Sequence, residues 1–125
     1  IRRPPRSTRN ESSAASYVYK RQELIKILLE FLKSKKNVRI IGSQSHSRDI
    51  RMPTLSFTVN GISSKEIALG AGKKDIGIRN GEFYAWRCLH GLGIEPNDGV
   101  VRVSMVHYNN LEEVNRLISY LDTVI

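Results

Sequence analysis

A single cysteine, Cys88, in a chain of 125 residues excludes an internal disulfide framework and fits a reducing compartment. No run of about 18 apolar residues occurs, so no membrane-spanning helix is expected. The expected setting is cytoplasmic, with an organelle as the alternative. Methionine is scarce, and the first is Met52. Residue 1 is therefore not expected to be an ordinary translation start, and the chain is expected to be processed or a piece of a longer protein. The three histidines (His46, His90 and His107) and Cys88 lack metal-ligand spacing, so no metal site is expected. His90 falls near the end of a predicted helix, where a cation is favoured. His107 is expected to be a hydrogen-bonded structural residue on a half-buried strand. The glycine signatures of phosphate loops and dinucleotide folds are also missing. "GAGKK", Gly70 to Lys74, is glycine-rich and basic, but no strand precedes it in the phosphate-loop arrangement.

Positive charge is abundant but unevenly spread. The formal net charge is +8. Residues 1–22 hold six Lys and Arg against one acid, Glu11, whereas residues 23–125 hold fourteen basic and eleven acidic residues. Most of the excess lies in "IRRPPRSTRNESSAASYVYKRQ", which has no apolar periodicity and is rich in Arg, Ser and Pro. Such a segment buries too little apolar surface to offset its ordering entropy. Residues 1–22 are expected to be a disordered, non-native leader resembling translated adaptor sequence. A transit peptide and a basic nucleic-acid-binding arm are the alternatives.

The pattern changes at Glu23. Leu24, Ile25, Leu28, Leu29, Phe31 and Leu32 fall at helical spacing, and Lys33, Lys35 and Lys36 suit a helix C-terminus. "VRIIG" predicts a short strand ended by Gly42, "SQSHSRDIRM" a polar loop, and "TLSFTV" a half-buried strand. Asn60-Gly61 marks a turn. "SSKEIALGAGKK" predicts a helix with a capping box between Ser63 and Glu66, weakened by Gly70 and Gly72. "DIGIRNG" predicts a very short strand and a turn, "EFYAWRCLHGLG" a helix, and "GVVRVSMVHY" a strand. A last helix is expected from about Leu111 to about Thr123, capped by Asn110 and Glu113, with Val114, Leu117, Ile118 and Leu121 on its apolar face. Residues 23–125 thus form an α+β domain, with helices packed on one face of a small sheet.

Within the strand "VVRVSMVHYNN", alternation puts Val101, Val103, Met105 and His107 on one face and Val100, Arg102, Ser104, Val106 and Tyr108 on the other. The first is the better core candidate. Arg102 then faces solvent, a partner or a pocket that holds an anion, and the solvated face is the commoner place for such an arginine. In "IRNGEFYAWRCLHGLG", Arg79 stands before a turn at Gly81, and Phe83, Tyr84 and Trp86 crowd a helix start. Aromatics at that spacing are usually core.

Taken together, "RMPTLSFTVNG", Arg79-Asn80-Gly81 with "EFYA", and "GVVRVSMVHYNNLEEVNRLISYLD" resemble the C-terminal small domain of the class V aminotransferase group, in its cysteine desulfurase-like branch. The resemblance covers residues of about 38 to 125. It implies a pyridoxal 5'-phosphate-dependent enzyme of fold type I, an amino-acid substrate, and a homodimer when complete. It also implies that Arg102 binds the substrate carboxylate, with Arg79 as a second substrate-binding candidate. A planar guanidinium fork suits bidentate carboxylate binding better than lysine does. Tyr108 and Asn109 match the family's Tyr-Asn, and Asn110 stands where the family usually has Thr; both cap helices.

Two departures qualify the resemblance. Tyr84 stands where true desulfurases carry their nucleophilic cysteine, and a phenol does not accept sulfur as a thiolate does. Cys88, one helical turn further on, is expected to be buried and inert. No histidine is followed by lysine, so the cofactor lysine is expected to lie outside this chain and the isolated chain to be inactive. The expected protein is a fragment of a pyridoxal-phosphate-dependent transferase or lyase that binds neither nucleic acid nor membrane. A free-standing α+β nucleic-acid-binding or interaction module is the alternative; it lacks the aromatic strand motif of an RNA reader.

Overall fold

The computed structural model describes the backbone from Arg6 to Ile125 and side chains from Lys20 onward. Its elements are α1 (Arg6–Ser34), β1 (Val38–Ile41), β2 (Thr54–Val59), α2 (Ser64–Gly72), β3 (Arg79–Gly81), α3 (Trp86–Gly91), β4 (Val100–Ser104) and α4 (Leu111–Val124). This order of helices and strands matches the sequence pattern. The leader expected over residues 1–22 lies, through residue 19, outside the residues described with side chains. Of its last three residues Lys20 is exposed, while Arg21 and Gln22 are part-buried within α1.

The strands form one antiparallel sheet in the order β1-β2-β4-β3. Alternation is clearest in β2, where Leu55, Phe57 and Val59 are buried and Thr54, Ser56 and Thr58 are half-buried. These side chains meet Val101, Val103 and Met105, together with Leu24, Ile25, Leu28, Leu29 and Leu32 of α1 and Val114, Leu117 and Leu121 of α4. Complete burial of a residue such as Leu55 or Phe57 stabilises the fold by roughly 1.5–3 kcal/mol. The helices of this cluster lie over one face of the sheet, as the α+β pattern predicts. Val100 points the other way and joins Leu89 and Ile94 in a second, smaller cluster against Ile41 and Phe83.

Local signals explain most ends of elements. The Asn110–Glu113 capping box is present: Asn110 Oδ1 accepts from the Glu113 N–H at 2.9 Å, and Glu113 Oε2 accepts from the Asn110 N–H at 3.2 Å. At α2 the expectation fails in part. Ser63 is the N-cap and its Oγ accepts from the Lys65 N–H at 3.2 Å, but Glu66 does not reciprocate. Asp98 does so instead, accepting from Ser63 Oγ at 2.6 Å and from the Ser64 N–H at 2.9 Å. Gly70 inside α2 has a packing reason. A Cβ there would collide with the hydroxyl of Tyr120, which donates to the Ile67 carbonyl at 2.8 Å. Burial pushes the Tyr120 phenol above its ordinary pKa.

β4 ends at Ser104, short of the Tyr108 expected from sequence. Beyond Met105 the backbone turns, because Asn109 Oδ1 accepts from the Val106 N–H at 2.7 Å and the Asn109 N–H donates to the Val106 carbonyl at 3.1 Å. This local bonding competes with the strand ladder. His107 therefore sits exposed in the turn rather than half-buried on a strand, with its ring edge-on to Tyr108. Among the described residues no helix is long and apolar enough to cross a membrane.

Candidate functional site

Val101 and Val103 turn into the core, so Arg102 and Ser104 occupy the opposite face of β4. Register decides their neighbours. Arg102 is directly opposite Ser56 on β2 and directly opposite Arg79 on β3. Thr54 is opposite Ser104 and its Oγ1 donates to Ser104 Oγ at 3.2 Å. Directly opposed residues share a face, so three strands build one polar strip containing both arginines singled out from the sequence.

The half-buried Arg102 lies with its guanidinium carbon 3.9 Å from the centroid of the Phe83 ring. The ring quadrupole attracts the cation and holds it over the ring face. Apart from its contact with Phe83, the Arg102 side chain has no hydrogen bond or ion pair with any other described residue. Its N–H edge is therefore uncommitted, in the planar geometry that matches a carboxylate.

The chain reaches this arrangement through a strained turn. Gly81 has φ 137°, and two non-glycine residues follow in the left-handed region, Phe83 at φ 48° and Tyr84 at φ 61°. Each such residue costs about 1–2 kcal/mol. The Ala85 N–H donates to the Glu82 carbonyl at 2.8 Å and closes the turn. Gly99 permits a close approach beneath it, since a Cβ there would run into the Gly81 carbonyl group. The result turns Phe83 towards Arg102 and the small apolar cluster, and leaves Tyr84 100% exposed.

Two expectations need correction here. The helix predicted from Glu82 begins only at Trp86, because the left-handed pair Phe83-Tyr84 cannot continue a right-handed helix. Cys88, expected to be buried, is exposed. α3 is six residues long and buries only Leu89, so the adjacent thiol faces out.

At the far end of β4, the Asn109 side chain also donates to Glu113 Oε2 at 2.8 Å. That bond and the Asn110 N–H hold the Glu113 carboxyl below the usual glutamate range. Asn109 thus joins strand end to helix start, while Tyr108 is exposed.

The residues present do not fit pyridoxal phosphate. None of the described lysines is buried, and none lies on a strand of the sheet. Among the described residues no group of histidine, cysteine and carboxylate side chains could hold a metal. What the strip presents is two arginine side chains, neither with an ion-pair partner among the described residues. Phe83, read from sequence as a core aromatic, is the partner that sequence reasoning missed; its positive φ leaves no mark in the residue pattern.

The aminotransferase class-V profile matches residues 10–117. The aminotransferase-like protein FGM3 of Gibberella zeae is 40% identical over 105 residues, covering 83% of this chain and 26% of that protein. The cysteine desulfurase-like protein ustD of Aspergillus flavus is 38% identical over 110 residues, covering 84% of this chain and 25% of that protein. Among solved structures, the cysteine desulfurase of Thermococcus onnurineus superposes with a TM-score of 0.76 at 26% identity, over 86% of this chain and 25% of its own. The chain spans about a quarter of the length of these relatives.

Proposed function

Because the chain belongs to the aminotransferase class-V family, whose members use pyridoxal phosphate, we propose that it is the small, substrate-clamping domain of a pyridoxal-phosphate-dependent transferase or lyase acting on an amino acid. The cofactor and its lysine belong to a larger part of the complete protein, which on this reading is a homodimer. Arg102 binds the substrate α-carboxylate. The observation that carries the reading is the Arg102 guanidinium itself, stacked at 3.9 Å on Phe83 and free of any ion pair among the described residues.

A half-buried arginine placed on a rigid strand, without a carboxylate partner among the described residues, is oriented and open to a ligand. An incoming carboxylate supplies two charge-assisted hydrogen bonds to a fork that needs no reorganisation. The turn that carries Phe83 bears Tyr84 rather than a thiol at its tip, which argues against persulfide chemistry at that position. Nucleic acid has no part in this reading, since residues 23–125 carry only three more basic than acidic residues.

The test is Arg102→Lys in the complete protein, with folding checked by circular dichroism. Lysine keeps the charge and loses the fork. A lost hydrogen bond to a charged group is worth roughly 1.5–3 kcal/mol, so kcat/KM should fall about 10- to 100-fold. A solvated surface arginine would tolerate lysine, and a change below about threefold rejects the clamp. The isolated chain mixed with pyridoxal phosphate should form no borohydride-reducible adduct traceable to one lysine.

A further inference from the structure

Arg79 and Arg102 are direct cross-strand partners in the β3–β4 ladder. Opposed residues in an antiparallel pair have Cβ atoms about 4.5–5.5 Å apart, and like charges so placed are destabilising. Neither arginine has an ion-pair partner among the described residues. Glu82, the nearest acid along the chain, pairs with neither. Gly99 lets β4 come close to the Gly81 carbonyl, and Phe83 holds the Arg102 guanidinium at 3.9 Å, so the two strands meet closely beside the pair. The register thus puts two arginines on one face of neighbouring strands, neither with an ion-pair partner among the described residues.

Resting on the reading of Arg102 as the α-carboxylate clamp, we propose that Arg79 binds a second anion on the same substrate. The substrate is then an amino acid with a short side chain ending in an anionic group, a carboxylate or a phosphate. One carboxylate fills the Arg102 fork with its two oxygens. Arg79, on the neighbouring strand and the same face, is then the cation available to the anionic end of such a side chain. Two cations matched to two anions remove the like-charge penalty, whereas a monoanionic amino acid leaves Arg79 exposed and unused.

The experiment uses the complete protein with its cofactor and compares kcat/KM for aspartate, phosphoserine and alanine. One or other dianionic substrate should exceed alanine, and which of the two does so identifies the side-chain anion. Arg79→Gln should lower the ratio of that substrate to alanine by about tenfold or more, the worth of one charge-assisted bond. By calorimetry the same substitution should weaken succinate more than propionate. Arg79 lies exposed at the sheet edge, so this variant should fold. An unchanged ratio, with alanine and the dianion losing equally, would mean that both arginines grip the α-carboxylate and overturns the proposal. So does a parent protein that prefers alanine. If Arg102→Lys leaves every substrate unaffected, the clamp reading itself has failed, which is a separate result.

Discussion

The Arg102 guanidinium carbon lies 3.9 Å from the centroid of the Phe83 ring, and Phe83 meets it from a left-handed backbone at φ 48°. A side chain held at some conformational cost against a cation with no ion pair among the described residues is a positioning device. On the reading of Arg102 as the carboxylate clamp, the ring restricts where the fork meets its ligand.

Replacing that ring should loosen the fork without removing it. Phe83→Leu forfeits a cation–π contact of about 0.5–1 kcal/mol, and up to about 2 kcal/mol when desolvated. In the complete protein KM for the amino acid should rise about three- to tenfold with a smaller change in kcat, and Phe83→Tyr should restore it. Loss of stability with unchanged KM would make Phe83 a packing residue only.

Gly99 controls how closely β4 approaches the β3 turn. Gly99→Ala places a Cβ against the Gly81 carbonyl at a backbone with φ 67°. The variant should lose at least about 2 kcal/mol in urea unfolding, more than an ordinary glycine-to-alanine change at a compatible site. A neutral result would mean that the strands can separate freely, and the arginine pair with them.

Asp98 gives the fold a pH dependence of known sign. Burial alone would push its carboxyl up, but hydrogen bonds from Ser63, Ser64 and Lys65 outweigh that and hold it below the ordinary value of 3.8. A depressed folded pKa stabilises above the unfolded pKa and is lost as pH falls through the folded one. At neutral pH Asp98→Asn should cost about 1 kcal/mol, because bonds to an ionised acceptor become bonds to a neutral one. The unfolding free energies of parent and variant should converge below about pH 4. A constant gap down to pH 2 would remove Asp98 as the titrating group.

Cys88 is exposed, so a disulfide reagent should titrate it in the folded chain without denaturant. Tyr84, not Cys88, occupies the turn beside Phe83, and Cys88→Ala should leave amino-acid turnover in the complete protein within a few-fold of the parent. Abolished turnover with retained folding would make this thiol a nucleophile.

Among the α1 residues described with side chains, the first buried one is Leu24. Deleting residues 1–19 should therefore shift the unfolding temperature by less than about 4 °C, equivalent to roughly 1 kcal/mol. A larger loss would assign the segment to the folded domain.

The sequence by itself determined the order of elements, the apolar faces of α1 and α4, the alternation of β2 and the Asn110–Glu113 cap, because each is a pattern among residues close along the chain. It also carried the family likeness, and with it the choice of Arg102 and Arg79. Only the tertiary structure decided what surrounds those residues. Asp98 caps α2 from 34 residues away, and β4 enters the sheet between β2 and β3. That insertion sets Arg102 between Ser56 and Arg79. Periodicity reports which face a residue occupies but not which strand lies beside it, since partners are chosen by the packing of the whole sheet. The same limit hid Phe83 and Cys88. A left-handed pair of bulky residues has no local signature, and a six-residue helix buries only the side that its neighbours cover.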